Sequence, residues 1–178
     1  MNLIEIDITP ELISQAKKEH SKRKIHNKFT QCDTDVSFVG LLGEVILKNY
    51  LKERWEDKDR LGCDGTFKGL DGNWHTAEVK TKSIKREPKP YYEQSVYGYT
   101  TKFQAPNFYI FVNIFEENGN KTVDGNYKKA WIVGVMPSTW INTEKTVFRP
   151  AGSVMPGSNV TAKRDNYFIQ LRDLYPFR

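Results

Sequence analysis

The sequence predicts an α/β fold in which a central mixed β-sheet is flanked by helices. Two segments near the amino terminus, residues 10–27 and 36–53, follow residues that commonly cap helices. Residues 61–83 have the pattern of a β-hairpin, and residues 108–116 form a β-branched and aromatic run typical of a buried central strand. Helical and strand patterns in one chain of this kind indicate a sheet covered by helices.

Length, composition and charge limit the class of protein. The 178 residues suffice for one domain with its own core, and no linker-like stretch indicates a second domain. Aromatic residues make up 13% and apolar residues 38% of the chain, which excludes global disorder. The 27 basic residues exceed the 22 acidic ones, giving a net charge of +5. This excess favours a polyanionic partner, although a modest excess also serves solubility.

Nothing in the sequence indicates export or a membrane. The segment MNLIEIDITPEL lacks the basic start and apolar core of a secretory signal, and no run approaches the roughly 20 apolar residues that cross a bilayer. We therefore expect a cytoplasmic protein without a membrane partner. The two cysteines, Cys32 and Cys63, have no metal-binding spacing, so free thiols are expected.

The chain begins with a short extended segment and a helix. Residues 3–8 alternate apolar and acidic side chains, which fits an edge strand or an extended lead-in. Thr9 and Pro10 form a helix start, and the helix is predicted to end near residue 27. Its last turns are rich in lysine and arginine, which either oppose the negative helix end or contact phosphate.

The second helix is predicted over residues 36–53. It has a wide apolar face, as expected for a helix that packs on a sheet: Leu41, Leu42, Val45, Ile46 and Tyr50. Gly40 and Gly43 each cost a helix roughly 1 kcal/mol against alanine, so they suggest a close backbone approach. Glu44 is the one acid among these apolar residues, and it lies either on the outer face or turned towards a site.

The hairpin over residues 61–83 brings together the residues that carry chemistry. Its two runs flank Leu70-Asp71-Gly72-Asn73, a strong turn signal, so Asp64 and Glu78 are expected on neighbouring strands. Side chains alternate along a strand, and Glu78 and Lys80 should therefore project to the same side. The opposite side would carry Ala77, Val79 and Thr81.

Two carboxylates and a lysine then converge at one place. Carboxylate oxygens suit a hard divalent cation such as Mg2+ or Mn2+. A metal ion beside an ammonium group can stabilise the charge that grows on a phosphate under attack. The alternative is a solvated hairpin with an ion pair between Asp64 and Lys80 across the strands, which would contribute little.

At these residues the chain resembles the PD-(D/E)xK nuclease superfamily, which has the restriction-endonuclease-like fold. The family pattern is an aspartate at a strand end, a variable gap and Glu/Asp-x-Lys in the next strand. Here Asp64 is followed, after thirteen residues, by Glu78-Val79-Lys80. Cys63 replaces the proline of the motif, at a position that varies widely in the family.

The resemblance covers roughly residues 36–115, because a helix with a glutamate commonly precedes the hairpin in this family. Residues 40–51 match that helix, and Glu44 matches its glutamate. No subfamily is indicated.

The resemblance also implies a role for each matched residue. Asp64 and Glu78 would bind one or two Mg2+ ions directly, with the Val79 carbonyl as a further ligand, and Mn2+ should substitute for Mg2+. Lys80 would hold and help to deprotonate the attacking water, and Glu44 would contact the water around the metal. Hydrolysis would leave a 5'-phosphate and a 3'-hydroxyl.

The segment after the hairpin interleaves basic and aromatic residues. Its basic residues are expected to contact nucleic acid: Lys82, Lys85, Arg86 and Lys89. Its apolar residues recur at helical spacing, which predicts a helix whose aromatic side packs on the sheet: Tyr91, Tyr92, Ser95, Val96 and Tyr99. Gln94 is a candidate to enter the site from that helix, as a glutamine does in some relatives.

The carboxy-terminal half reads mainly as strands and loops. After residues 108–116, which should be buried on both faces, residues 127–136 are predicted to form another strand. A short helical turn is expected at residues 137–140, and a surface loop at residues 148–164. Residues 166–174 read as a last strand or a strand that ends in a helical turn.

Together these patterns predict a Mg2+-dependent deoxyribonuclease that acts as an endonuclease. One alternative is a non-catalytic nucleic-acid-binding protein that keeps the nuclease fold. Another is a protein-binding or inhibitor domain whose aromatic and basic segment meets an acidic partner. A homodimer is one option, because cutting both strands of a duplex usually needs two active sites.

Overall fold

The structure, a computed structural model, describes residues 3–26, 37–60, 63–98, 106–118, 121–154 and 161–178. Within these ranges the chain is a mixed α/β fold with two helices, α1 (Pro10–His26) and α2 (Ser37–Leu51). The strands are β1 (Ile4–Asp7), β2 (Trp55–Arg60), β3 (Cys63–Lys68), β4 (Trp74–Ile84), β5 (Glu93–Tyr97), β6 (Phe108–Glu116), β7 (Tyr127–Pro137), β8 (Val147–Arg149) and β9 (Asn166–Gln170). Short 3-10 turns occupy Lys52–Arg54, Ser138–Trp140 and Leu171–Asp173.

The strands form two sheets. The larger sheet has the order β1-β7-β6-β4-β3-β2, in which β4 and β6 are parallel and the other neighbours are antiparallel. The smaller sheet has the antiparallel order β5-β9-β8. The predicted central mixed sheet is therefore confirmed, and a second sheet that the sequence did not predict accompanies it.

The large sheet is covered differently on its two faces. Helix α2 packs on one face, and α1 packs against α2. The other face packs against residues of the small sheet, including Val96 and Ile169. The prediction of helices around the sheet is therefore confirmed for one face, while β-strands cover the other within the described residues.

Strand β6 shows why this sheet has two cores. Its side chains alternate, so Ile110, Val112 and Ile114 contribute to the core under the helices. Tyr109 and Phe111 contribute to the core under the small sheet. Strand β6 lies between β4 and β7, and the predicted central strand buried on both faces is confirmed.

The hairpin between β3 and β4 is confirmed, together with its turn. Gly72 has a φ of 79°, a left-handed conformation that glycine adopts without steric cost. The Asn73 backbone N–H donates to the Asp71 carboxylate at 3.0 Å, and the Gly69 N–H donates to the Asn73 carbonyl at 2.9 Å. The turn therefore sets the register in which Gly65 pairs with Ala77.

The predicted helix after the hairpin is wrong. Residues Glu93–Tyr97 form β5, which pairs with β9, and Gln94 and Val96 are buried at the alternating spacing of a strand. Tyr91 is 64% exposed, so the prediction that it packs in the core is also wrong, and Tyr99 lies outside the described residues. The partner strand lies some 70 residues further along the chain, and its hydrogen bonds decide the conformation.

Several other predictions have mixed outcomes. The first and second helices, the edge strand β1, strand β7 and the turn after it are confirmed. Tyr50, placed on the apolar face of α2, is exposed, and part of the predicted loop over residues 148–164 belongs to β8. The highly charged β2 was not predicted, because an edge strand needs few apolar residues.

Neither helix is long and apolar enough to cross a membrane within the described residues.

Candidate active site

Asp64 lies where the ladder between β3 and β4 ends. The last described pair is Gly65 with Ala77, and Asp64 is the next residue towards the start of β3. Its carboxylate accepts a hydrogen bond of 2.7 Å from the Val79 backbone N–H. The Asp64 side chain thus accepts a hydrogen bond from the backbone of β4, and this bond holds the carboxylate beside the Glu78-Val79 peptide.

Glu78 and Lys80 project to the same side of β4, as the alternation predicted. The Lys80 ammonium donates to the Glu78 carboxylate at 2.9 Å, and the two side chains are only 19% and 10% exposed. Ala77 and Val79 face the opposite way and pack in the core under α2. The alternative of a solvated ion pair between Asp64 and Lys80 is not observed, since Lys80 pairs with Glu78 at a largely buried position.

The electrostatics of Asp64 show that four of the predicted residues lie close together. Burial raises the pKa of Asp64 well above its ordinary value, and the negative charges of Glu44 and Glu78 raise it further. The hydrogen bond from Val79 and the charge of Lys80 act in the opposite direction but do not cancel the rise. The site therefore has more negative charge than one lysine neutralises.

Lys80 is an ammonium group at neutral pH. Burial would lower its pKa, but attraction from Glu78 and Asp64 and the hydrogen bond to Glu78 outweigh burial and raise it. A raised pKa favours holding a water molecule or a phosphate oxygen over accepting a proton. Of the two roles predicted for Lys80, the structure therefore favours the positioning role.

Glu44 reaches the site because α2 lies unusually close to β4. A Cβ added at Gly43 would lie 2.0 Å from the Thr81 hydroxyl oxygen, so the close approach predicted for Gly43 is confirmed. The Thr81 hydroxyl also donates to the Gly40 carbonyl at 3.4 Å, although a Cβ at Gly40 would meet nothing within 4 Å. Glu44 itself is buried, and the outer-face alternative is wrong.

Gln94 lies on strand β5 and not on the predicted helix. It is buried, and its amide nitrogen donates to the Asn113 side-chain oxygen at 2.8 Å. Asn113 pairs in register with Lys82, two residues after Lys80 on β4. The Gln94 amide therefore binds a side chain of the large sheet, and no contact between Gln94 and the acidic residues is observed among the described residues.

The basic residues predicted to contact nucleic acid are all at the surface. Lys85, Arg86 and Lys89 lie on the exposed connection between β4 and β5. The Lys82 side chain is held against β5, because its ammonium donates to the Glu93 carbonyl at 3.0 Å. The connection thus presents three cations to solvent, while the fourth links the two sheets.

Two residues near the site were not predicted. The Lys80 ammonium lies 5.8 Å from the centroid of the Tyr97 ring, and the Arg164 guanidinium lies 5.7 Å from the same centroid. Tyr97 was part of the aromatic and basic segment that the sequence analysis singled out. Arg164 stands in a segment rich in glycine, proline and serine, where no local pattern indicated a site.

The donor groups at this place fit a hard cation held by few protein ligands. Among the described residues no group of three or more histidine, cysteine, aspartate or glutamate side chains is arranged to hold a metal. Asp64 and Glu78 provide two carboxylates, and the Val79 carbonyl is the third ligand that the sequence predicted. A cation would relieve the crowding of charge that raises the pKa of Asp64, and magnesium completes such a set with water.

No family model, curated protein or solved structure matches the chain. The likeness to PD-(D/E)xK nucleases therefore depends on the residues of the hairpin and of α2. The fold is established at the coarser level of a mixed α/β protein.

Proposed function

We propose that the protein is a metal-dependent nuclease that hydrolyses phosphodiester bonds in DNA, with the restriction-endonuclease-like fold. One observation carries the proposal: Asp64, Glu78 and Lys80 meet at the end of one hairpin, and Glu44 from α2 acts on the same carboxylate. Burying three acids costs free energy that a purely structural hairpin has no reason to spend. Such a cluster suits chemistry on a phosphate.

Asp64 and Glu78 would hold Mg2+, with the Val79 carbonyl as a further ligand. When bound, the cation would lower the pKa of a coordinated water and neutralise charge on the phosphate. The Val79 N–H keeps the Asp64 carboxylate in place, and Lys80 does the same for Glu78. The two ligands are thus oriented before a cation arrives.

Lys80 would act on the substrate as a cation. Its ammonium, which donates to Glu78 in this structure, would donate to the attacking water or to a phosphate oxygen when substrate is bound. Water would attack phosphorus and lose a proton to solvent while the bond from phosphorus to the 3' oxygen breaks. The released 3' oxygen would take a proton from solvent, so the products would be a 5'-phosphate and a 3'-hydroxyl. Glu44, buried on α2, would accept a hydrogen bond from water beside the site.

The choice of a nucleic acid as substrate is supported by charge. The chain has a net charge of +5 although several acids gather in the site, so its remaining surface is more basic than that sum. Lys85, Arg86 and Lys89 lie exposed on the connection that follows β4. Exposed cations of this kind attract a polyanion to the surface that carries them.

A nicking assay tests the proposal. Supercoiled plasmid is incubated with the protein and Mg2+ or Mn2+, with EDTA as the metal-free control. The variants Asp64→Asn and Lys80→Ala should lose cleavage, whereas Lys128→Ala, which removes an exposed lysine on β7, should keep it. A panel of linear, branched and single-stranded DNA and of RNA then defines the substrate.

Two outcomes would contradict the proposal. One is the absence of metal-dependent cleavage by the wild-type protein on every substrate of the panel, and binding without cleavage would favour the non-catalytic alternative. The other is equal cleavage by Asp64→Asn and the wild-type protein, which would place the activity elsewhere.

A further inference from the structure

Tyr97 is a half-exposed aromatic ring next to the proposed catalytic lysine. It ends β5 and is 37% exposed. The Lys80 ammonium and the Arg164 guanidinium each lie within 6 Å of its ring centroid. Cations at this distance are attracted to an aromatic face, so the ring links a cation inside the site with one at the surface.

The backbone around Arg164 is fixed beside β5. The Gly98 N–H donates to the Asp165 carbonyl at 2.8 Å, and the Ala151 N–H donates to the Asp165 carboxylate at 2.9 Å. The buried Asn166 side chain donates to the Arg164 carbonyl at 2.6 Å. These backbone contacts hold the exposed Arg164 beside β5.

The spacing of the two cations fits two charges that lie within a few nucleotides of each other on one nucleic-acid strand. Since both lie near one ring centroid, they are no more than about 12 Å apart. A strand carries one charge per roughly 3.4 Å of helix axis, so this span covers a few nucleotides. A strand whose phosphate is bound at Lys80 therefore has a neighbouring phosphate within reach of Arg164.

We propose that Tyr97 and Arg164 form a second phosphate-binding subsite that holds a backbone phosphate within a few nucleotides of the one that is cut. The planar guanidinium binds phosphate through two parallel hydrogen bonds, and the ring keeps it in position. The inference rests on the proposed function and narrows its substrate: the protein acts on a strand that continues beyond the scissile phosphate. A small phosphodiester with one phosphate cannot use the subsite.

Binding measurements test the subsite apart from catalysis. Fluorescence anisotropy of a labelled single-stranded oligonucleotide, in EDTA and at several salt concentrations, gives Kd and its salt dependence. Arg164→Ala should weaken binding about tenfold or more, because it removes charge-assisted hydrogen bonds. The slope of log K against log salt should shrink by about 0.7, the value for one contact to a single strand.

The chain offers a matched control one residue away. Lys163→Ala removes an equal charge from the exposed neighbour of Arg164 and should leave the slope unchanged. Tyr97→Phe keeps the ring and should bind like the wild type, whereas Tyr97→Leu should weaken binding. Thermal melting of each variant checks that it is folded.

Kinetics separate this role from that of Lys80. With a cleavable oligonucleotide, Arg164→Ala should raise KM and leave kcat nearly unchanged, since it removes binding and not chemistry. With bis(4-nitrophenyl) phosphate, a one-phosphate diester, Arg164→Ala should match the wild type, while Lys80→Ala should fail on both substrates. A loss of the small-substrate activity in Arg164→Ala would overturn the subsite.

The outcomes distinguish the subsite from the nuclease proposal. If the wild type cleaves but Arg164→Ala and Lys163→Ala have equal binding and salt slopes, the subsite is refuted and the nuclease stands. If Arg164→Ala alone loses binding and no variant or wild type cleaves, the subsite stands on a non-catalytic protein. If the wild type neither binds nucleic acid nor cleaves it with metal, both are refuted.

Discussion

The two sides of β4 are almost equally buried and yet carry opposite kinds of residue. On the side of α2, Ala77 and Val79 pack in an apolar core. On the side of the small sheet, Glu78 and Lys80 form an ion pair that is mostly out of solvent. Apolar burial stabilises the fold, whereas burial of charge costs free energy unless each charge is paired. The difference is what we expect if one side stabilises the fold and the other carries the proposed catalysis.

The same contrast appears in the residues that approach each side. On the helix side Gly43 lies so close to the Thr81 side chain that there is no space for a Cβ at residue 43. At the start of β3, the raised pKa of Asp64 shows that its carboxylate, near Glu44 of α2 and Glu78 of β4, is held in a place that disfavours its charge. If this division is right, substitutions on one side should change stability and substitutions on the other should change activity.

The largest effect is expected on the charged side. Lys80→Ala should reduce cleavage about 10²- to 10⁴-fold, because it removes a positioned cation from the phosphate, while largely sparing binding to DNA. Plasmid nicking gives the rate, and anisotropy gives the affinity. Undiminished cleavage by a folded Lys80→Ala protein would break the division between the two sides.

On the helix side we expect a loss of stability. Gly43→Ala should lower the free energy of unfolding by about 1–3 kcal/mol, because the added Cβ would overlap Thr81. Gly40→Ala is the matched control: its Cβ meets nothing within 4 Å, so better helix propensity should stabilise it by up to about 1 kcal/mol. Denaturant unfolding measures both. Equal effects at the two glycines would contradict the close approach of α2.

Metal binding should stabilise the protein only when the residues of the charged side are intact. At a Mg2+ concentration tenfold above Kd, the free energy of unfolding of the wild type should rise by about 1.4 kcal/mol. Asp64→Asn should show a much smaller rise, since it loses a charged ligand, and Gly43→Ala should keep the full rise. Thermal melting with Mg2+ and with EDTA makes the comparison. An equal rise in Asp64→Asn would place the cation elsewhere.

A smaller effect should appear in the dependence of stability on pH. The pKa of Asp64 is raised in the folded protein, so the folded state binds the proton more tightly and its stability falls as pH rises above 3.8 towards that raised pKa. Asp64→Asn avoids this loss. It should equal the wild type in acid and become the more stable of the two at neutral pH, without metal. Parallel curves across that range would contradict the raised pKa.

The hairpin and the placement of Glu78 and Lys80 on it could be predicted because their information is local. Asp71-Gly72-Asn73 specifies a turn, the turn sets the register, and register with alternation puts Glu78 and Lys80 on one side. The strand at Phe108–Glu116 was predicted with its bounds for the same reason, since an unbroken β-branched and aromatic run has few other uses.

Where the outcome depended on distant residues, prediction failed. The period of Tyr91, Tyr92, Ser95 and Val96 suits a helix, but pairing of β5 with β9 made a strand of this segment. Gln94 consequently approached from a strand and bonded to Asn113, which no motif had indicated. The charged β2 was not predicted because an edge strand needs few apolar residues and so lacks the alternating pattern by which strands are predicted.

By itself the sequence determined the mixed α/β class, the hairpin and the side of β4 on which the acid and the lysine lie. Each follows from the dihedral preferences of a few neighbouring residues and from the alternation of side chains. Tertiary structure alone decided that Glu44 is buried beside Asp64, that Lys80 is a paired ammonium and that Arg164 stands at Tyr97. These features depend on burial and on distances between segments far apart in the chain, and such quantities exist only once the sheets have packed.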